Sequence, residues 1–360
     1  MIYVPTYDPN SEEMWQIDLR AWDLSRLDLS NRLDDLLFAD FDDRTTWPAK
    51  EKLPPDFDPQ QIMELGKNPG LGVRQLHEAG ITGRGVGIAI IDDALLVEHQ
   101  EYINQLRFYE EADDLTQGWE EVSMHGPAVA SIAVGKTVGV APGADLYFIA
   151  TSFCNYTGSI EGNDYSCLAK QVRRILEINE LLPQDRKIRA ISISVGWGPE
   201  SIGYADITAA TKAAKEAGML VICSSVEAVH GFKFHALGRE PFADPDLFES
   251  YEPGLWWAQQ YYDGKPFSDR LLAPMDSRTT ASPGGVDEYV FYREGGWSWS
   301  IPYIAGAYAL AAQVKPTITP DEFWQLALQT GRMIELEHEG KVFEFGPILD
   351  PIDLVIELQK

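Results

Sequence analysis

Cysteine is scarce: Cys154, Cys167 and Cys223 are the only three in 360 residues. Their spacing matches no metal-ligand pattern, and an odd number leaves one unpaired in any disulfide scheme. That arithmetic suits a reducing compartment rather than a disulfide-framed secreted fold. No apolar run approaches the roughly 20 residues needed to span a bilayer. The opening MIYVPTYDPNSEEMW has neither a basic n-region nor an apolar h-region, so no signal peptide is expected; a cytoplasmic protein is the expectation. Positive charge is also in short supply, with 29 Lys and Arg against 56 Asp and Glu and a net charge of −27. Phosphates would be repelled over most of such a surface, which argues against nucleic acid and anionic membranes as partners.

What is present is enough for a filled core. Hydrophobic residues make up 45% of the chain, and the length allows one large α/β domain or a domain with an appendage. Residues 1–68 differ from the rest. Asp-Leu-x recurs every five residues from Asp18, Asp23 and Asp28, and three copies are too few for an independent solenoid, so the leucines are expected to dock on the main domain. The connector WPAKEKLPPDFDP reads as an extended link across a surface.

From Gly70 strands and helices alternate. Residues 86–92 (VGIAIID), 144–150, 188–196 and 219–225 are short continuous apolar runs, as expected of buried parallel strands. Residues 167–182 and 204–218 carry helical patterns, and Thr319-Pro320-Asp321-Glu322 is a capping box opening a further helix. The fold class is α/β, a parallel sheet between layers of helices, preceded by an acidic N-terminal extension.

A serine nucleophile needs a base for its proton and a carboxylate to hold that base in one tautomer. Such groups gather at the carboxyl ends of strands in an open α/β sheet. Asp92 ends VGIAIID, His125 opens the small-residue segment HGPAVASIAVG, and Ser298 follows a glycine pair at the head of an apolar helix that contains Pro302. A helix start facing the serine would stabilise a developing oxyanion. The chain order Asp, His, Ser is shared with subtilisin.

VGIAIID, MHGPAVASIAVG with VGVAPGADLYFIA, and GGWSWSIPYIAGAYAL resemble the aspartate, histidine and serine motifs of the subtilisin-like serine peptidases. GITGRGV, ISISVG, LLAP (271–274) and FGPILDPIDLVI match in family order, over roughly residues 70–356. The resemblance implies a serine endopeptidase acting on polypeptides. His125 would be the general base, Asp92 its orienter and Ser298 the acylated nucleophile. Ser194, Val195 and Gly196 would pair with the substrate backbone, with the loop from Thr151 to about Asp164 over the same cleft. No cofactor or catalytic metal is implied; calcium often stabilises the family, and the acidic loops could supply ligands, although no D-x-[DN]-x-[DN]-G loop is present.

The match departs from the family at several positions. Asp93 and Ala94 follow the aspartate in place of Ser or Thr then Gly; an Asp93 turned inward would raise the pKa of His125. Ala128 replaces a second histidine, and Trp297 and Trp299 flank Ser298 where Thr and Met are usual. Glu227 stands in SSVEAVHG where the family has the asparagine that donates to the oxyanion, a loss of about 3–4 kcal/mol. Three readings are open: Glu227 is protonated by burial and donates; Ser225 or His230 takes over; or the chain is a silent subtilisin fold used for binding or regulation.

The domain division is 1–68 and 69–360, with an aromatic-rich insert at about 228–270 that is either a recognition element or aromatics packed beneath a long loop. His99 is expected to be structural, and His230 with His235 is a weak metal candidate. The N-terminal segment is an intramolecular inhibitor across the cleft, a recruiting element, or a permanently docked arm.

Overall fold

The computed structural model describes residues 3–11, 13–112, 123–152, 164–264 and 269–360. The central sheet is parallel, with strands in the order Leu106–Glu111, Asp145–Ala150, Gly87–Asp92, Ile188–Ile193, Leu220–Cys223. Its three middle strands are buried almost throughout, which is why they read as unbroken apolar runs rather than as alternating ones. Helices His125–Val134 and Trp297–Val314 pack on one another, as do Ser166–Leu181 and Tyr204–Glu216. The sheet is therefore flanked by helices, and the α/β class expected from the sequence holds.

The helix Pro320–Thr330 starts where the capping residues place it, and Thr319 accepts the Glu322 N–H at 3.2 Å. Only this half of the expected box forms, because the Glu322 carboxylate turns to Lys315 Nζ at 2.5 Å.

The 228–270 region is more regular than a long loop. It contributes Phe234–Arg239, buried along its whole length, and Tyr251–Pro253 to a second sheet, which runs Arg332–His338, Lys341–Ile348, Leu271–Pro274, Phe234–Arg239, Tyr251–Pro253. Trp257 stacks on Trp297 at 5.4 Å between ring centroids, and Tyr261 lies edge-on to Phe345 at 5.2 Å.

The N-terminal segment is a short coil rather than a loose arm. Asp18, Asp23 and Asp28 each accept the backbone N–H two residues on, at 3.0–3.1 Å, which makes three successive turns. Those turns point Leu19, Leu24 and Leu29 inward, all essentially buried. The leucine N–H groups donate to Asp40, Thr46 and Lys52 carbonyls, each at 2.8 Å, so a five-residue rung faces a six-residue one. The copies that are too few to stand alone are closed by the chain that follows them.

Strand Ala39–Asp42 then pairs antiparallel with Tyr289–Tyr292, and the coil's apolar side closes over Val138, Tyr289 and Phe291. The Pro-rich connector is not an extended surface link as expected. It makes a 3-10 turn at Lys50–Lys52, buries Phe57, and leads into helix Pro59–Lys67, capped by Asp58.

Candidate active site

Asp92 sits at the carboxyl end of the middle strand, 1% exposed. Its Oδ1 accepts His125 Nδ1–H at 2.5 Å and the Asp93 N–H at 2.9 Å, while Oδ2 is buried without a hydrogen-bond partner among the described residues. His125 is the first residue of its helix. The glycine after it is required by close approach: a Cβ on Gly126 would lie 2.4 Å from the Asp93 carbonyl oxygen and 2.7 Å from that of Ala94. The His-Gly pair thus lets the helix start press on the end of the aspartate strand, and that contact sets the His125–Asp92 distance.

Asp93 is turned inward. Ser123 Oγ donates to Asp93 Oδ2 at 2.8 Å and accepts the His125 N–H at 2.9 Å, tying the second acid to the histidine backbone. Burial and the neighbouring Asp92 charge raise the Asp93 pKa. Burial pulls the His125 pKa down, but the Asp92 charge, the hydrogen bond to Asp92 and the Asp93 charge together lift it above its ordinary 6.5. Ser123 lies immediately before the histidine motif, and nothing in the sequence spacing marks it.

Ser298 is the second residue of the 18-residue helix Trp297–Val314. First-turn N–H groups have no partner four residues back, so this helix start offers free donors and a favourable dipole end. Ser298 Oγ donates to the Ser194 carbonyl at 3.4 Å, and no hydrogen bond joins it to His125. Both nevertheless line one cavity of about 410 Å³.

The approach to Ser298 is fixed by a residue the sequence did not reveal. Asp276, fully buried, accepts the Gly295 N–H at 2.8 Å and the Leu255 N–H at 2.9 Å. Burial raises its pKa to about 7. Gly295 cannot carry a side chain there, because its Cβ would lie 2.6 Å from the Met275 carbonyl oxygen.

The two tryptophans beside Ser298 part company. Trp299 is buried with its ring 5.5 Å from the His125 ring and lines the cavity. Trp297 turns to Phe234, His235 and Trp257.

The oxyanion candidates do not behave as expected. The Glu227 side chain is 60% exposed and lies 3.7 Å from Lys233, so the burial required for a protonated donor is lacking. Ser225 Oγ is engaged on both sides by the Trp197 backbone, accepting its N–H at 2.8 Å and donating to its carbonyl at 2.7 Å. His230 accepts the Val221 N–H at 3.1 Å and stacks on Phe232. Burial drives the pKa of both His230 and His235 down to about 4. Among the described residues no group of three His, Cys, Asp or Glu side chains is placed to hold a metal ion.

Ser194, Val195 and Gly196 follow directly on strand Ile188–Ile193. The Ser194 carbonyl meets Ser298 Oγ, that of Val195 accepts the Ser224 N–H at 3.1 Å, and that of Gly196 accepts the Tyr165 hydroxyl at 2.7 Å. Residues 153–163 of the loop expected over this cleft, Cys154 among them, lie outside the described residues. Cys167 is disulfide-bonded, and Cys223 is buried and free. His99 is structural as expected, its Nε2 paired with the Glu288 carbonyl at 2.9 Å.

With this geometry in hand the comparisons are specific. The profile of the Subtilase family matches residues 83–233. An extracellular serine proteinase of Thermus sp. (strain Rt41A) is 26% identical over 250 residues, 67% of this chain and 54% of its own length. This chain therefore spans about half the length of the curated relative it matches. The structure of the prenylagaramide maturation protease PagA superposes with a TM-score of 0.52, at 16% identity, over 80% of this chain and 99% of that one, a likeness of fold. This chain is thus similar to the subtilase family over residues 83–233. No helix among the described residues is long and apolar enough to cross a membrane.

Proposed function

We propose that this chain is a serine endopeptidase that cleaves polypeptides through an acyl-enzyme on Ser298. The observation that carries the reading is the buried Asp92 bound to His125 Nδ1 at 2.5 Å, beside a serine at a helix start in the same cavity. Asp92 fixes the tautomer with the proton on Nδ1, leaving Nε2 as the base. In the first half-reaction Ser298 Oγ attacks the carbonyl carbon and its proton passes to His125 Nε2. The tetrahedral oxyanion is held by the Ser298 N–H and the helix dipole, and the C–N bond breaks as His125 protonates the leaving amine. Water, deprotonated by His125, then attacks the acyl carbon; the C–Oγ bond breaks as His125 returns the proton to Ser298 Oγ, and the acid leaves. Ser298 Oγ rests on the Ser194 carbonyl rather than on His125; such catalytic hydrogen bonds commonly tighten only in the substrate complex.

With Glu227 exposed and Ser225 and His230 engaged elsewhere, oxyanion stabilisation falls to the backbone, and turnover is expected to be lower by about 10²–10³ than with a side-chain donor. That loss, with the Ser298 hydroxyl on Ser194, also favours a second reading, a silent subtilisin fold that binds peptides. Mass-spectrometric digestion of an unstructured polypeptide decides between them. Wild type should generate new termini that Ser298→Ala does not; identical fragments from both, or none from either, would sink the peptidase reading.

A further inference from the structure

The cavity at Ser298 is only half built by the family-like domain. Trp15, Asp18, Arg20 and Asp40 of the N-terminal coil form one wall, facing Met124, His125, Trp256, Tyr292, Glu294 and Trp299. The coil is fastened there at several points. Trp15 donates its N–H to Glu294 Oε2 at 3.0 Å and its indole N–H to the Glu294 carbonyl at 3.1 Å, and it lies edge-on to Trp256 at 5.1 Å. Arg293, fully buried, donates its backbone N–H to Asp40 Oδ1 at 2.7 Å and its guanidinium to the Leu37 carbonyl at 3.1 Å. Residues 15–40 and the loop entering Ser298 are therefore one unit, and the segment stands beside Ser298 rather than across it.

The side of the cleft follows from the chemistry. Ser194, Val195 and Gly196 do not line this cavity, whereas His125, which in the proposed reaction protonates the leaving amine, does. A cavity on the histidine side of Ser298 receives the part of the substrate that departs first.

The walls also define the guest. Trp15, Trp256, Tyr292 and Trp299 give it aromatic faces. Among the charges, Arg20 is matched by Asp18 through contacts of 2.7 and 2.9 Å and sits over the Tyr292 ring. That leaves Glu294, 6% exposed, and Asp40, 4% exposed. Each has one carboxylate oxygen on a backbone N–H and, among the described residues, no direct ion pair, although the Arg20 charge acts on Asp40 across the cavity. Burial raises the Asp40 pKa well above the ordinary carboxylate value, which leaves Glu294 as the anchoring carboxylate; lying buried among the aromatic walls, it matches an apolar stem carrying a positive head.

We propose that the N-terminal coil completes a leaving-group-side pocket that selects a lysine or arginine at the first or second residue after the scissile bond. The inference rests on the peptidase reading for its position but not for its binding chemistry. Peptides identical except for Lys, Arg, norleucine, Phe or Glu at those two positions are compared by kcat/KM in the full chain, and by tryptophan fluorescence titration of Ser298→Ala. At one position the basic residues should exceed norleucine by at least tenfold. Glu294→Gln should cut that ratio at least fivefold. Asp18→Asn, at a half-exposed position, frees the Arg20 charge and should also lower it.

A preference for norleucine or Phe, or a ratio that neither variant moves, overturns the pocket. Cleavage without such a preference defeats the pocket alone. Basic-selective binding by Ser298→Ala in a chain that cleaves nothing defeats the peptidase reading alone.

Discussion

Two regions meet at Ser298, and they are held together in different ways. The central sheet and its helices are an apolar fold: the strands Gly87–Asp92, Asp145–Ala150 and Ile188–Ile193 are buried, and their ends deliver Asp92 and the Ser194–Gly196 segment by backbone geometry. The N-terminal coil is a fold of turns, in which aspartates satisfy the chain two residues on while single leucines face inward. The first could be inferred from periodicity, and the second depends on a partner distant in sequence. A cleft with one wall from each can keep its reaction while changing its selectivity, because the coil touches the cavity without supplying any of Asp92, His125 or Ser298.

The comparison can be broken most severely by removing one region. A chain beginning at residue 69 would uncover Val138, Tyr289 and Phe291 and leave Arg293 without its Asp40 and Leu37 partners. It should aggregate or lose nearly all activity, measured by sedimentation and peptide cleavage; a soluble truncated chain with higher activity would restore the inhibitory reading of residues 1–68.

Next comes Gly126→Ala, which drives a methyl against the Asp93 and Ala94 carbonyls. Displacing His125 by even about 1 Å should lower kcat by roughly 10²-fold. Leu24→Ala in the coil should cost about 2–5 kcal/mol in denaturant unfolding. Its kcat on a substrate lacking a basic leaving-group residue should change far less than that of Gly126→Ala, since the leucine lies behind the wall rather than in it.

The smallest effect sharpens the electrostatics. The base must be neutral to act, so a His125 pKa above 6.5 places the acid limb of kcat/KM above that value. Asp93→Asn removes one of the charges that raise it, and the limb should move to lower pH. A limb that stays or moves upward would show that Asp93 does not act on the histidine.

Much of the fold was legible because burial on both faces writes itself as unbroken apolar runs, and the strand and helix boundaries fall within a few residues of the sequence reading. The juxtaposition of Asp92 and His125 was legible from chain order and the His-Gly pair. Asp276 and Ser123 were not, since a buried acid serving backbone N–H groups from two distant loops has no local signature. The exposure of Glu227 was hidden for a related reason: its place in a motif says nothing of the Lys233 that draws it outward. The coil's wall of the cleft was equally hidden, because Trp15 meets Glu294 across 279 positions of sequence.

The central claim is that Asp92, His125 and Ser298 form one acyl-transfer unit, and fluorophosphonate labelling followed by intact-mass and peptide mapping tests it most directly. Wild type should take up a single adduct, located on Ser298. His125→Ala should label far more slowly, and Ser298→Ala should not label at all. An unlabelled wild-type chain, or an adduct on any other residue, would contradict the account.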